Sequence, residues 1–169
     1  MNKTEFRYKV FSMAEQLFPM VSRMLGNTVN AEDAIQEIMI KLWVKRHEIE
    51  KHPNIKGLVF LTARNYCIDV MRKKNIKMED TPFQLEIARS ENNQEQLEWK
   101  ELQINVRKIL KNLPAQQREV MVMRDLDGYD FEEIAAALDL KIEHVRVLSS
   151  RARKYVSMML DKIYSYERG

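Results

Sequence analysis

The sequence predicts an all-α protein of two small helical domains, and three observations support this fold class. Apolar residues recur at steps of three and four, and no stretch keeps the period-two alternation of a β-strand. Only 4 glycines and 4 prolines occur in 169 residues, which favours long helices over tight turns. A weakly patterned stretch interrupts the helices over 77–95, so we expect a linker there between domains at 1–76 and 96–169.

The first domain is predicted to contain three main helices. The first should kink or break near Phe18, because Pro19 lies inside its apolar stripe. Gly26 should end this helix, and Asn30 is the expected N-cap of the next. The third helix is predicted over about 55–74, with its apolar stripe formed by Val59, Ala63, Tyr66 and Val70.

The second domain is predicted to contain four helices. Its pattern places them at about 96–112, 115–125, 130–138 and 142–159. Asp130 precedes the third of these helices and is its expected N-cap.

Charge and composition exclude several classes of protein. The net charge is +3, distributed as +5 over 1–74, −4 over 75–99 and +2 over 100–169, so acidic partners suit both basic blocks. No apolar run approaches the ~20 residues of a membrane span, and the N-terminus lacks a signal-peptide pattern. We expect a cytoplasmic protein without membrane insertion, in which the single cysteine, Cys67, packs as a small apolar residue.

Catalytic and metal-binding patterns are absent from the sequence. The three histidines have no metal-ligand spacing with one another or with Cys67, and no phosphate-binding loop or nucleophile motif occurs. We therefore expect no enzyme activity, no metal and no cofactor.

The segment 129–156 has the layout of a helix-turn-helix. A short helix containing the small Ala135 is followed by a turn and a second helix with a basic outer stripe, as in proteins that place the second helix in the DNA major groove. The outer stripe of that helix is predicted to carry Arg146, Ser149, Ser150 and Arg153, flanked by Arg151 and Lys154. The alternative is an ordinary helical pair with a solvated basic face.

Two further helices carry candidate binding faces. The first, on the helix over 31–43, consists of Asp33, Gln36, Glu37 and Ile40, and it suits docking of another protein's helix, although spacing alone favours a solvated polar face. The second combines a basic run with Phe60 and Tyr66, and it fits single-stranded nucleic acid and buried core aromatics equally well. Its polar members are Lys56, Asn65, Asp69, Arg72, Lys73 and Lys74.

Taken together and in order, these segments resemble bacterial RNA polymerase sigma factors of the extracytoplasmic-function type, which keep only regions two and four. The matching segments are AEDAIQEIMIKLW, FLTARNYCIDVMRKK, LPAQQREVMVMRDLDGYDFEEIAAAL and VRVLSSRAR. The resemblance covers nearly the whole chain and implies a factor that binds core RNA polymerase, through its beta-prime and beta subunits, and helps melt promoter DNA. It also implies an anti-sigma factor as a partner.

The resemblance assigns roles to particular residues. Asp33, Gln36 and Glu37 fall in the polymerase-docking helix, with Trp43 mostly packed. Asn65, Asp69 and Arg72 match the helix that holds the melted minus-ten element, and the loop over 47–56 resembles the one that captures a flipped base. The segment that resembles the reader of the minus-thirty-five element contains His144, Arg146, Ser149, Ser150, Arg151 and Arg153. The start of region four is matched by Leu113, Pro114 and Arg118.

Some positions depart from the family pattern. Leu58 stands near a position where the family often has tryptophan, and His144 stands where threonine is common. Asp139 replaces the usual glycine of the helix-turn-helix turn, and Lys141 replaces a serine or threonine cap. A stand-alone helix-turn-helix regulator, with residues 1–75 as a sensor or dimerisation domain, remains the alternative reading, and binding to core polymerase separates the two.

Overall fold

The fold is known from a computed structural model that describes residues 1–77 and 93–168, and these residues form helices and their connections without a β-strand. The all-α prediction is therefore confirmed. The N-terminal helices are α1 Lys3–Lys9, α2 Ala14–Leu25, α3 Thr28–Val44, α4 Arg46–Glu50 and α5 Ile55–Lys73, with a 3₁₀ turn at Phe11–Met13. The later helices are α6 Asn93–Lys111, α7 Ala115–Met121, α8 Phe131–Leu138 and α9 Ile142–Arg168, with a π-helical turn at Val122–Leu126.

The described residues divide into two compact units. The first contains residues 1–77 together with Tyr129–Ile142, and the second contains residues 93–128 and those from Glu143 onward. The first helix of the predicted helix-turn-helix, α8, is thus grouped with the N-terminal residues. Most of the predicted linker lies outside the described residues, and its last three positions, 93–95, begin α6.

Capping side chains set the start of several helices. The Asn54 side chain accepts from the Gly57 amide at 2.9 Å at the start of α5, and Asp130 caps α8 as predicted, in a capping box with Glu133. The expected cap of α3 is wrong: the side chain of Asn27 accepts from the Asn30 amide at 2.7 Å, so the helix begins three residues earlier. Gly26 ends α2 at φ +84°, which leaves Asn27 extended and free to cap.

Of the predicted kink or break near Phe18, the break does not occur, because α2 is continuous through Pro19. The helix continues from Ala14 to Leu25, and the interruption lies earlier, at Phe11–Met13. The hydroxyl of Tyr129 accepts from the Met20 amide at 3.1 Å and donates to the Gln16 carbonyl at 2.6 Å. These two backbone groups would bond each other in an uninterrupted helix, so the tyrosine hydroxyl bridges the turn that the proline disturbs.

The core of the first unit lies between α2, α3 and α5, with α8 packed on α5. Leu17, Met20, Ile38 and Phe60 are among its fully buried side chains. The buried face of α5 is rotated from the predicted stripe, because Tyr66 and Val70 are only half-buried. The residues that α5 buries are Gly57, Val59, Phe60, Ala63, Cys67 and Met71.

The second unit packs α6, the end of α7 and α9 around one apolar cluster. Its buried members are Ile109, Leu110, Leu113, Val122, Ala152 and Val156. The π-helical turn closes with a bond from the Asp127 amide to the Val122 carbonyl at 2.9 Å. Among residues 1–77 and 93–168, no helix combines the length and apolar character needed to cross a bilayer.

The predicted outward position of Ser149 is wrong, because its side chain is only 2% exposed. Three buried residues lie at helical spacing from Ser149. Val145 lies four positions before it, Ala152 three positions after it and Val156 seven positions after it. These are the spacings that place residues on one face of a helix, so Ser149 belongs to the inner stripe of α9.

We expect Ser149→Arg to lower the free energy of unfolding by about 2 kcal/mol or more, because a charged side chain would enter a buried position. Ser150→Arg is the matched control, since Ser150 is exposed on the same helix and should change the free energy by within about 0.5 kcal/mol. Urea denaturation followed by circular dichroism measures both. Equal stability of the two variants would contradict the burial of Ser149.

Cys67 should resist thiol reagents in the native protein. Its side chain is fully buried in α5, and burial raises the pKa of the thiol to about 12. The thiolate is the reactive form, and at pH 8 it amounts to about one part in ten thousand. We expect an aromatic disulfide reagent to label one thiol per chain in denaturant and none in the native protein over minutes. Rapid native labelling would show that Cys67 is accessible.

Candidate functional site

The polar face predicted on α3 is exposed. Asp33, Gln36, Glu37 and Ile40 are all accessible, and the Ile40 side chain is 56% exposed. The opposite side of α3 is buried, with Ala34, Ile38 and Leu42 in the core. An exposed isoleucine between charged and amide side chains gives this face the mixed character of a protein-docking surface.

An apolar groove lies beside this face and was not predicted. It has a volume of about 490 Å³ between α2 and α3, and its apolar lining includes Phe11, Phe18, Ile35 and Met39. Gln36 lines the groove and also belongs to the α3 face. Phe11 and Phe18 lie seven residues apart, which is a spacing that indicates a shared surface on a helix. The sequence prediction did not use this spacing, because it expected the helix to kink or break near Phe18.

Trp43 packs within the unit, as the sequence predicted. Its ring meets the edge of Phe6 with centroids 5.1 Å apart, and the Arg46 guanidinium lies 4.0 Å from the Trp43 ring centroid. Arg46 also donates to the Trp43 carbonyl at 3.0 Å. These contacts fix the end of α3 against α1 and the start of α4.

The polar stripe predicted on α5 faces solvent. Asn65, Asp69, Arg72 and Lys73 are all exposed. Asp69 and Arg72 form a loose ion pair, with a carboxylate oxygen and a guanidinium nitrogen 4.0 Å apart. Such an exposed pair contributes little to stability, so both side chains remain available to a ligand.

The two aromatic residues near this stripe have different roles. Phe60 is fully buried, so the core reading is the correct one for this residue. Tyr66 is half-buried, and the Lys41 ammonium lies 4.9 Å from its ring centroid. Desolvation, more than the nearby Glu37, raises the pKa of the Tyr66 hydroxyl, so the group stays neutral in ordinary buffers.

Lys56 marks the N-terminal end of α5 and already has a partner. Its ammonium nitrogen lies 3.4 Å from a carboxylate oxygen of Glu133, in the first turn of α8. Asp130 and Glu132 line the same small cleft together with Asn54. The sequence reasoning missed this acidic counterpart, because nothing in the local pattern indicates which helix packs on α5.

The DNA-binding residues predicted on α9 are exposed except at one position. His144, Arg146, Ser150, Arg151 and Arg153 face solvent, whereas Ser149 is buried. Arg153 is held by Asp125: its Nε donates to one carboxylate oxygen at 3.2 Å, and a terminal nitrogen donates to the other. This bidentate contact raises the pKa of the Arg153 guanidinium and orients it.

The turn after α8 tolerates the missing glycine. Asp139 adopts the left-handed conformation, φ 55° and ψ 47°, which glycine usually supplies. The Leu140 amide bonds the Ala135 carbonyl at 2.9 Å and closes the helix end. Aspartate is among the residues that enter this region most readily, so the departure from the family pattern leaves the turn intact.

Comparison with known proteins identifies two family regions in this chain. Residues 12–76 match the model of sigma-70 region 2, and residues 103–156 match the model of sigma-70, region 4. The α3 and α5 faces lie in the first region, and most of the exposed basic residues of α9 lie in the second.

Individual relatives agree with this result. The chain is 28% identical over 152 residues to the ECF RNA polymerase sigma factor SigE of Mycolicibacterium smegmatis, covering 88% of this chain and 59% of the length of that relative. The chain therefore spans less than two thirds of that protein.

Solved structures show the same fold. The sigma factor RpoE in complex with the anti-sigma factor NepR from Bartonella quintana aligns with a TM-score of 0.54 at 22% identity, covering 94% of this chain and 96% of that one. CnrH in complex with the cytosolic domain of CnrY aligns with a TM-score of 0.57 at 21% identity, covering 95% and 90%. Because the two family regions occur in the predicted order and together cover more than half of the chain, the protein belongs to the sigma-70 family of RNA polymerase sigma factors, in its extracytoplasmic-function group.

Proposed function

We propose that this protein binds core RNA polymerase, directs it to specific promoters and helps melt the DNA for transcription initiation. The observation that carries this proposal is the placement of two exposed faces of different chemistry in the two family regions. One is the mixed polar and apolar face of α3 in region 2, and the other is the basic face of α9 in region 4.

The α3 face is the proposed polymerase contact. Asp33, Gln36, Glu37 and Ile40 are free of the core, and the adjoining groove provides apolar surface for a partner side chain. Interfaces of this kind combine a desolvated apolar centre with hydrogen-bonding groups around it. The proposed partner is the clamp coiled coil of the beta-prime subunit, with beta as a second contact.

The α5 stripe is the proposed site for the melted minus-ten strand. Asn65, Asp69 and Arg72 offer hydrogen bonds to bases, and Lys56 and Lys73 offer charge to phosphates. Unstacking a base step costs a few kcal/mol, and contacts made only with the opened strand offset that cost. The protein itself performs no covalent chemistry in this scheme.

The exposed face of α9 is the proposed reader of the minus-thirty-five element. Arg146 lies near the start of the helix, where side chains of this motif reach base edges. Arg153 lies two turns later, and His144, Ser150 and Arg151 are also exposed on this helix. Ser149 was proposed for this role from the sequence, and its burial argues for an indirect role in supporting the helix.

Domain roles, partners and location complete the proposal. Residues 1–76 serve the polymerase and the minus-ten DNA, and residues 96–169 serve the minus-thirty-five DNA. One aligned solved structure is a complex with the anti-sigma factor NepR, and the other is a complex with the cytosolic domain of CnrY. The first complex supports an anti-sigma partner for this protein as well. The proposed location is the cytoplasm, where RNA polymerase acts.

The polymerase contact is tested by a double substitution. Asp33→Ala with Glu37→Ala should weaken binding to core polymerase by about 2–5 kcal/mol, because charged partners across the interface lose their hydrogen bonds. A fluorescence titration of labelled protein with core polymerase measures the change.

The matched control is Glu98→Ala with Glu101→Ala, which removes the same charge from two exposed positions of α6. Circular dichroism should show unchanged helix content for both double variants. Unchanged affinity of the Asp33 and Glu37 variant for core polymerase would remove the α3 face from the proposal.

The DNA-reading face is tested by comparing two arginines of α9. Arg146→Ala should relax the preference for one upstream base pair, at a cost of about 1–3 kcal/mol on the preferred sequence. Arg153→Ala should weaken all sequences alike and flatten the salt dependence by about one unit of slope. Binding of the full chain to a randomised duplex library at several salt concentrations measures both.

Lys162→Ala is the control, since Lys162 is exposed near the end of the same helix. It should leave both the base preference and the affinity near those of the unmodified protein. Equal effects of the Arg146 and Arg153 substitutions on every sequence would mean that Arg146 contacts only phosphate.

A further inference from the structure

The segment Tyr129–Ile142 is fastened to the first unit by the side chain of its first residue. The Tyr129 ring is only 4% exposed and meets Phe60 edge-on, with centroids 5.3 Å apart. Its hydroxyl bonds both the Met20 amide and the Gln16 carbonyl of α2. A hydroxyl that both donates and accepts inside a helix is a specific attachment, because few other side chains can satisfy both groups.

Close packing holds α8 against the start of α5. A Cβ atom on Gly57 would lie 3.1 Å from the Ala136 side chain and 2.5 Å from the side-chain amide nitrogen of Asn54. The small glycine therefore allows the close approach of the two helices. Ile134 and Ala137 of α8 are fully buried, so the apolar face of this short helix is fully used in the attached state.

The attachment places carboxylates beside Lys56 at the N-terminal end of α5. Glu133 lies 3.4 Å from the Lys56 ammonium, and Asp130 and Glu132 line the same cleft. Lys56 is the second residue of α5, and the proposed function assigns it to DNA phosphate. The Lys56 ammonium therefore already faces negative charge that the protein itself supplies.

We propose that the segment Tyr129–Ile142 is an intramolecular competitor of single-stranded DNA, which occupies the N-terminal end of α5 and must be released before the strand binds there. The proposal rests on the proposed function, since it takes Lys56 and its neighbours as DNA contacts. Phosphate and the Glu133 carboxylate compete for the same ammonium, so both cannot bind it at close range. The apparent affinity for DNA is then reduced in proportion to the fraction of molecules in which the segment is attached.

Two conservative substitutions weaken the attachment without removing a core side chain. Tyr129→Phe deletes only the hydroxyl and leaves the Met20 amide and Gln16 carbonyl able to bond each other. Glu133→Gln removes the charge and keeps an oxygen for the capping box with Asp130. Because each variant removes only one hydroxyl or one charge from the attachment, each should bind DNA roughly three- to tenfold more tightly.

The measurement is fluorescence anisotropy of a labelled single-stranded oligonucleotide titrated with the full chain. Tyr8→Phe and Glu98→Gln are the matched controls, since both residues are exposed and lie outside the contact. They should bind like the unmodified protein. A Tyr129→Phe or Glu133→Gln variant that binds no more tightly than its control would overturn the proposal.

Lys56→Ala separates this proposal from the one on which it rests. It should weaken oligonucleotide binding. It should also abolish the increase in affinity that Glu133→Gln causes, because the Glu133 carboxylate and the DNA phosphate then have no ammonium to compete for. If Lys56→Ala binds normally, the DNA role of Lys56 is wrong and the competition fails with it. If Lys56→Ala weakens binding but the Tyr129 and Glu133 variants match their controls, only the competition is wrong.

A direct structural measurement supplements the affinities. In NMR spectra of the unmodified protein, a saturating amount of oligonucleotide should shift the resonance of the Met20 amide. The shift should be towards the position that this resonance has in Tyr129→Phe, because the tyrosine hydroxyl leaves α2 when the oligonucleotide binds. A Met20 resonance that stays in place while the oligonucleotide binds would overturn the release step.

Discussion

The bond between Tyr129 and the backbone of α2 is the interaction that joins the segment Tyr129–Ile142 to the N-terminal helices. Pro19 lies inside the turn of α2 that contains Gln16 and Met20, where it disturbs the helical bonding. The Tyr129 hydroxyl supplies both a donor and an acceptor to them. A residue distant in sequence thus completes an N-terminal helix, and α8 is brought onto α5 as a consequence.

Packing on one side of each helix leaves the functional faces free on the other. The core uses one stripe of α3 and one stripe of α5, so the polar residues between those stripes remain exposed. The same arrangement holds for α9, whose inner stripe joins α6 in a separate core. Each unit therefore presents an exposed polar face on a rigid helix, the kind of surface that the proposed function requires.

Local patterns predicted the helices and most of the exposed residues, because helical periodicity and capping depend on neighbours in sequence. The cap at Asp130 and the exposed face with Asp33 and Glu37 are confirmed examples. Features that depend on distant contacts were not predictable: the bond between Tyr129 and α2 joins residues more than a hundred positions apart, and the partner of Lys56 comes from α8. Ser149 is different, since its spacing from Val145 and Ala152 already indicated burial, and its polarity led to the wrong assignment.

The proposed function requires that this protein initiate transcription together with core RNA polymerase. Run-off transcription by purified core polymerase on a library of genomic promoter fragments, with and without the protein, measures this activity. Transcripts with defined start sites should appear only when the protein is added. Binding of the protein to DNA without any transcript, and without association with core polymerase, would instead favour a stand-alone helix-turn-helix regulator.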